Sequence, residues 1–307
     1  MLGNNSSVAA NTLGFWLLFK TAFAGAFAKL GSFLFYGVIL GLLSFGLSYF
    51  NTYMAGNLIG LHLAIIFPIM LLYITFGFFV GVFSSLIYKS ITKSYFHKGV
   101  TSFFSHVSYS FSNLMKAAGV TFRVVWYVGK WFFIPLIIAL ILFPLFLAAP
   151  TFSIVSAVSL IEPDQVYIPE ESFRSLVSRW GVMLANVIVL IGGVIAVIRF
   201  PKAMFAMTAF VEDGIAGKKA LETSQNLTKG RWWKVFGYMF LFLLIFMLAF
   251  YALVFLASLL MITPFIMGID FAMVSIVVGV LFVLLGVILS AVSSVFIYKF
   301  YLELKKI

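Results

Sequence analysis

The sequence predicts an all-α, polytopic membrane protein with six transmembrane helices and amphipathic helices at its cytoplasmic interface. Three observations support this prediction. The 307 residues are 64% hydrophobic and only 9% charged, whereas a typical soluble domain has about 25% charged residues. Several apolar stretches reach the roughly 20 residues that a helix needs to cross the hydrocarbon core. Lys and Arg residues are concentrated in alternate connecting segments, as the positive-inside rule requires.

The apolar stretches predict where the helices cross the membrane. A stretch at 13–30 is interrupted by Lys20 and Lys29, so it is expected to lie in the interface as a helix rather than to cross. We treat residues 1–307 as one integral membrane domain. The fourth span is expected to continue past Pro201 as a kinked helix. The six predicted spans are about 33–50, 61–88, 131–149, 181–211, 233–262 and 271–301.

Charge predicts the orientation of these spans. With both termini in the cytoplasm, 18 of the 20 Lys and Arg residues fall on the cytoplasmic side, and the outer loops hold only Arg174 and Arg179. The segment 89–130 has six basic and no acidic residues, and it is expected to form helical surface segments. The formal charge of +11 then indicates an anionic lipid leaflet as the partner rather than nucleic acid.

A weaker regularity indicates internal repetition. An interfacial stretch followed by two spans occurs three times, beginning near Phe15, Ser110 and Gly217. This spacing predicts three tandem helical hairpins that all start on the cytoplasmic side. Such repeats are related about an axis along the membrane normal.

The stretch 220–236 marks where a polar helix meets an apolar one. Gly230 is expected to be the C′ residue that ends the polar helix, because glycine readily adopts a left-handed conformation. Tryptophan beside basic residues is typical of headgroup depth. The predicted lipid- or partner-binding residues are Lys218, Lys219, Lys229, Arg231, Trp232, Trp233 and Lys234. At helical spacing, Ala220, Leu221, Ser224, Leu227 and Thr228 fall along one side of the helix, and Lys218, Lys219, Glu222, Gln225, Asn226 and Lys229 fall largely on the other.

The same stretch carries a family resemblance. Glu212, Gly214, Ser224, Gly230 and the run Leu-Thr-Lys-Gly-Arg-Trp resemble the membrane domain of some glycerophosphoryl diester phosphodiesterases and related stand-alone six-helix prokaryotic inner-membrane proteins. The resemblance implies a prokaryotic cytoplasmic (inner) membrane protein, and it implies Glu212, Ser224 and Gly230 as structural motif residues. Catalysis in those phosphodiesterases belongs to a separate soluble barrel. The resemblance therefore implies the membrane part without the reaction.

Residues suited to catalysis or metal binding are scarce. The chain has no cysteine and only three histidines, and His62, His97 and His106 lack the spacing of a metal motif. We predict no catalytic residue, no metal site and no cofactor. Glu212 and Asp213 precede the polar helix and are expected to cap its N-terminus and complement its dipole.

Polar and small residues in the spans are expected to mediate helix packing. Asn186, Ser294 and other span serines are predicted to form interhelical hydrogen bonds. The pairs Gly37 with Gly41 and Gly77 with Gly81 have the GxxxG spacing of close helix contact.

Three functions follow from these observations. The leading prediction is a non-enzymatic module that engages anionic lipid or a protein partner through its basic cytoplasmic helices. The alternative is a small transporter or channel for an apolar or weakly polar solute, which a continuous polar cavity would favour. An intramembrane enzyme is the least favoured, because no acidic residue lies within a predicted span and no metal-binding motif is present.

Overall fold

The structure, a computed structural model, describes residues 14–57, 63–99, 102–158, 170–267 and 271–306. Side chains are described outside 47–67, 138–182, 260–273 and a few isolated positions. In these ranges the chain forms nine α-helices: α1 (Phe15–Ala28), α2 (Leu30–Asn57), α3 (Leu63–Phe96), α4 (Phe103–Val158), α5 (Glu170–Ala203), α6 (Ala206–Asp213), α7 (Lys218–Thr228), α8 (Trp232–Met267) and α9 (Phe271–Lys305).

The all-helical prediction is confirmed for the described residues, and several of the helices suit a membrane. Four are individually long and apolar enough to cross, and a fifth crossing results if the bent pair Phe15–Ala28 and Leu30–Gly41 counts as one span. Six crossings therefore stay a prediction. The predicted third span, 131–149, lies within α4, largely where side chains are not described. The four are Pro68–Phe96, Leu190–Asp213, Trp232–Leu259 and Val277–Lys305.

The first predicted helix and the first predicted span meet at a sharp bend. The axes of α1 and α2 differ by 76°, with Lys29 as the non-helical residue between them. One face of α1 is buried through Leu18, Ala22 and Ala26, and α1 packs against α9. The helix at 13–30 is thus confirmed as a helix, and its depth in the membrane stays a prediction.

Several connecting segments are shorter than the sequence indicated. The segment 89–130 is helical, but its helices continue α3 and α4 instead of forming separate surface elements. It contains no proline that would end a helix. Helix α5 already begins at Glu170, inside the predicted outer loop, and α8 extends past residue 262.

The helix is interrupted shortly after Pro201, where the sequence predicts a kink. Pro201 lies near the end of α5, and Met204 and Phe205 interrupt the helix before α6 begins. The short helix α6 then packs against α3, α7 and α9.

The chain divides into two compact units, one comprising Met1–Thr121 with Met204–Ile307 and the other Phe122–Ala203. In the first unit, α1, α2, α3, α6 and α8 all pack against α9. The largest fully buried side chains of the first unit include Phe33, Phe205, Phe296, Tyr298, Phe300 and Tyr301. The division into two units does not test the three-hairpin repeat, which stays a prediction.

Burial in the first unit is concentrated at one end of the long helices. The early part of α8 buries Val235 and Phe242, whereas Leu248 and Phe255 farther along are more than half exposed. Apolar side chains that stay exposed over several helical turns are typical of a helix that faces lipid.

Glycine and serine mediate helix contact at some of the predicted positions. A Cβ on Gly37 would lie 2.2 Å from a Val287 methyl carbon, so α2 and α9 touch there as predicted. Ser294 of α9 is hydrogen-bonded to Thr92 of α3 at 3.1 Å, also as predicted. Gly77 and Gly81 differ, because nothing described lies within 4 Å of a Cβ built on either. Asn186 lies outside the described side chains.

Candidate functional site

Helix α7 is amphipathic in the predicted register. Ala220, Ser224 and Thr228 are buried, and Leu221 and Leu227 are partly buried. These small residues allow α7 to lie close against α6. The backbone N–H of Phe205, at the break before α6, donates a hydrogen bond to Ser224 Oγ at 3.1 Å. The buried side of α7 is therefore occupied by the protein itself. The exposed side carries Lys218, Lys219, Glu222 and Asn226.

Gly230 ends the α7 segment as predicted. Helix α7 ends at Thr228, Lys229 is the C-cap residue, and Gly230 has a φ of 76°. A residue with a Cβ is strained in this left-handed conformation. The Arg231 N–H then bonds the Thr228 carbonyl at 3.1 Å, which completes the turn into α8.

The predicted basic residues fall into two groups. Lys219 and Lys229 are exposed, and no described acid pairs with either. Lys218 is exposed and forms an ion pair with Glu222 at 3.1 Å. By contrast, the Arg231 guanidinium donates to the Leu304 carbonyl oxygen at 3.1 Å, near the C-terminus of α9 where the helix dipole favours a cation.

The remaining three predicted residues lie at the start of α8. Trp233 is 78% exposed, whereas Trp232 stacks on Phe236 with ring centroids 4.9 Å apart. The Lys234 ammonium lies 5.7 Å from the centroid of the Tyr238 ring. We define the basic surface as Lys218, Lys219, Lys229 and Trp233, the four predicted residues that remain exposed.

The expectation that Glu212 and Asp213 cap α7 is wrong. The N-cap residue of α7 is Gly217, and no side chain caps it. Both acids instead end α6, where Gly214 closes the helix with a φ of 69°. The Glu212 carboxylate contacts His97 and Tyr298, and the Asp213 carboxylate contacts Tyr301 and Lys305.

The Glu212 carboxylate, 11% exposed, is bound from two segments of the chain. Directly after the end of α3, His97 Nε2 lies 2.9 Å from Oε1 and 3.1 Å from Oε2. From α9, the Tyr298 hydroxyl donates to Oε2. Lys93 donates to the carbonyl oxygens of Val211 at 2.8 Å and Glu212 at 3.0 Å.

Asp213 is bound by α9 alone. The Tyr301 hydroxyl donates to Oδ2, and the Lys305 ammonium donates to Oδ1 at 2.5 Å. We call the whole arrangement the acid-pair cluster. It comprises Lys93, His97, Glu212, Asp213, Tyr298, Tyr301 and Lys305.

Two lysines of α3 bind α6, Lys93 at the carbonyl oxygens of its C-terminal end and Lys89 nearer its start. The buried Lys89 ammonium donates to Thr208 Oγ1 at 2.9 Å, one turn before the carbonyl oxygens that Lys93 binds. Cations are favourable at a helix C-terminus, where carbonyl groups lack intrahelical partners. The acid-pair cluster therefore fixes α6, and with it the α7 helix that packs on α6, to α3 and α9.

Sequence reasoning missed this cluster, although one signal was present. Glu212 and Asp213 are two of only nine acidic residues, and they directly follow an apolar span. An acid pair in that position is costly unless cations and hydroxyl groups surround it. The residues that do so are remote in sequence, so their identity could not be inferred.

Both described histidines, His97 and His106, have partners within the protein. His97 binds Glu212, and His106 Nδ1 lies 2.8 Å from Ser90 Oγ. Burial, reinforced by the Lys29 charge, lowers the pKa of His106 below its ordinary value of 6.5. Across the described residues, no group of three or more His, Asp or Glu side chains could hold a metal ion. His62 lies outside the described residues.

A groove between α8 and α9 bears on the transporter alternative. It has a volume of about 340 Å³, and its lining is apolar. It supplies none of the polar groups that a solute pathway needs, so that alternative stays a prediction. Its lining residues are Leu253, Leu256, Ala257, Leu259, Val278, Leu281 and Phe282.

Comparisons with known proteins add no relative. No family model matches the chain, and no curated protein or solved structure matches it either. The resemblance to the phosphodiesterase-associated membrane domain therefore stays a prediction carried by the residues quoted for it.

Proposed function

We propose that this protein is a non-enzymatic membrane module that binds anionic lipid headgroups through the basic surface. The observation that carries the proposal is the exposure of three lysines and one tryptophan on a helix and turn whose other side is fixed to the protein. Lys218, Lys219 and Lys229 are exposed against a single exposed acid, Glu222.

The chemistry of the basic surface suits a headgroup layer. Each Lys near an anionic leaflet contributes about 1 kcal/mol to binding, and the indole of Trp233 favours the same depth. Three lysines together would favour anionic over zwitterionic lipid by roughly tenfold to hundredfold. Lys229 and Trp233 flank the Gly230 turn, which supports a joint electrostatic and aromatic contact.

The rigidity of the support favours binding without a folding step. Phe205 and Ser224 link the α6 start to α7, and the acid-pair cluster holds α6 against α3 and α9. A surface that is already ordered avoids the conformational entropy that a flexible basic segment would lose on binding. This supports lipid recognition rather than mere attraction to a charged leaflet.

The proposed location is the cytoplasmic (inner) membrane of a prokaryote, with six crossings and both termini in the cytoplasm. The excess of Lys and Arg in the segments that contain α6, α7 and the α3–α4 connection supports this orientation. In it the basic surface faces the anionic cytoplasmic leaflet.

Lipid retention in detergent tests the proposal. The parent protein and the triple variant Lys218→Ala, Lys219→Ala, Lys229→Ala are incubated with phosphatidylglycerol or phosphatidylcholine, and bound lipid is counted by native mass spectrometry. The charge-matched control is Lys20→Ala, Lys116→Ala, Arg123→Ala, at three other exposed positions. Arg231 is left intact because its guanidinium binds the end of α9.

The three possible outcomes are distinct. The proposal expects the triple variant to lose phosphatidylglycerol by at least about tenfold while the control retains it. Equal retention by the parent and the triple variant would contradict lipid binding at this surface. The basic surface would then be interpreted as a binding site for a protein partner. Equal loss from both variants would indicate net charge alone.

A further inference from the structure

Arg199 of α5 lies between two aromatic rings of α4 in the unit Phe122–Ala203. Its guanidinium carbon is 4.7 Å from the centroid of the Trp131 ring and 5.1 Å from that of the Tyr127 ring. A second cation shares the indole, because the Lys130 ammonium is 5.7 Å from the same Trp131 centroid. Two positive charges therefore converge on one ring.

No anion balances these charges in the described part of the unit. Arg199 lies within the candidate span Leu190–Asp213, and no described carboxylate pairs with it or with Lys130. In the proposed topology both cations belong to the cytoplasmic basic segments, and cations without a counter-charge at headgroup depth attract anionic lipid. Stacking stabilises the guanidinium but leaves the charge uncompensated.

The Arg199 guanidinium retains its hydrogen-bonding capacity. It carries five N–H donors in one plane, and none of them is bonded to a described acceptor. A planar fork of this kind matches two oxygens of a phosphate group. Lys130 supplies a second charge near the same ring. The site is therefore suited to a tetrahedral oxyanion rather than to a cation or a neutral solute.

The surroundings favour a phosphate that carries acyl chains. On α4, the exposed Ile134 lies one turn after Lys130 and Trp131, on the same side of the helix. On α5, the exposed Ile191 lies about two turns before Arg199. Exposed apolar side chains of this kind provide a surface for hydrocarbon. Free phosphate would gain nothing from them.

We infer that Arg199 and Lys130, held by Tyr127 and Trp131, form a binding site for the phosphate group of an anionic phospholipid. The site shares no residue with the basic surface proposed above, so either can fail alone. Arg199 binds the phosphate through its in-plane N–H groups. Lys130 attracts the phosphate by its charge and does not select a particular geometry.

Lipid titration by native mass spectrometry tests the site. The intact protein in detergent is titrated with phosphatidic acid, phosphatidylglycerol, phosphatidylcholine and, separately, inorganic phosphate as a competitor. The variants are Arg199→Lys, Arg199→Gln and Lys130→Gln. Arg123→Gln is the matched control, since Arg123 is an exposed arginine on α4 of the same unit.

The expected result is a loss of phosphatidic acid affinity by about tenfold or more in both Arg199 variants, a smaller loss in Lys130→Gln and none in Arg123→Gln. Arg199→Lys keeps the positive charge, so a loss of affinity in this variant would show that binding requires the planar N–H donors of arginine. Unchanged affinity in the Arg199 variants overturns the site. Displacement of lipid by equimolar inorganic phosphate overturns the lipid source. If Arg199→Gln fails to fold, Arg199→Lys and Lys130→Gln decide the question, and unchanged binding in both overturns it.

Discussion

Lys93 and Glu212 are joined twice across the α3–α6 contact. The Lys93 ammonium donates to the Glu212 carbonyl oxygen at 3.0 Å and lies 4.0 Å from Oε2 of its carboxylate. The Lys93 side chain thus binds a carbonyl oxygen at the C-terminal end of α6 and also lies close to the carboxylate of the same residue. The arrangement explains how a short helix such as α6 stays in one position.

Removing the charge of Glu212 should destabilise the protein strongly. Glu212→Gln is nearly isosteric, but it leaves His97 and Lys93 without the carboxylate that balances them. The lost hydrogen bonds to a charged group cost about 1.5–3 kcal/mol, so thermal unfolding in detergent should shift to a lower temperature. Glu222→Gln is the control, because its exposed pair with Lys218 contributes less than about 1 kcal/mol. Equal shifts would contradict the role of the acid-pair cluster.

The hydrogen bond from Phe205 to Ser224 should also be measurable. Ser224→Ala deprives the buried Phe205 N–H of this acceptor, and an unsatisfied buried donor costs about 1–3 kcal/mol. We expect a lower unfolding temperature and faster proteolysis between α6 and α8. Thr223→Ala serves as the control, since Thr223 bonds only its own helix at the exposed Lys219 carbonyl. Resistance of Ser224→Ala to both assays would contradict the α6–α7 anchorage.

Replacing Gly37 with alanine should destabilise the protein, whereas the same replacement at Gly77 should not. Gly37→Ala would place a Cβ 2.2 Å from a Val287 methyl carbon, and overpacking of this kind costs about 1–3 kcal/mol. Gly77→Ala meets nothing described within 4 Å, so stability should be unchanged or slightly higher. The double variant Gly37→Ala, Val287→Ala should recover part of the loss. Failure of that rescue would count against the α2–α9 contact.

His106 should make the protein less stable in mild acid. Its pKa is lowered in the folded state by burial and by Lys29, so the unfolded state binds the proton more readily. Stability is then unaffected above about pH 6.5 and falls as the pH drops below that value. His106→Asn removes this dependence. Unfolding temperatures of both proteins at pH 7.5 and pH 5.5 measure it, and parallel slopes would contradict the assignment.

Cysteine labelling should reveal the orientation of α7. The chain contains no cysteine, so Asn226→Cys on the exposed side of α7 and Gln165→Cys in the predicted outer loop give unambiguous signals. In right-side-out spheroplasts, a membrane-impermeant maleimide should label Gln165→Cys alone. Lysis should make Asn226→Cys reactive. Labelling of Asn226→Cys before lysis would show that α7 lies on the outer side and would contradict the proposed orientation.

The parts of the fold that local physics determines could be predicted from the sequence. Gly230 follows an amphipathic run and precedes paired indoles, and its positive φ follows from those neighbours alone. The buried side of α7 was readable from helical spacing, since Ala220 and Ser224 recur at one face. The interruption of the helix shortly after Pro201 likewise has a local cause.

Contacts between remote segments could not be predicted. The partner of Glu212 on α9, Tyr298, is 86 residues away, and no spacing rule connects two such positions. The erroneous capping assignment for Glu212 and Asp213 arose because sequence proximity to α7 was the only guide. Arg231 was grouped with lipid-facing cations for the same reason, although it binds the Leu304 carbonyl.

The most direct test of the lipid-binding proposal measures contact between α7 and headgroups. A fluorophore at Asn226→Cys, which leaves every lysine of the basic surface intact, is observed in nanodiscs that contain spin-labelled phosphatidylglycerol or spin-labelled phosphatidylcholine headgroups at equal density. The account predicts stronger quenching by the anionic lipid, and loss of that preference in the Lys218, Lys219 and Lys229 triple variant. Equal quenching by the two lipids in the parent protein would contradict it.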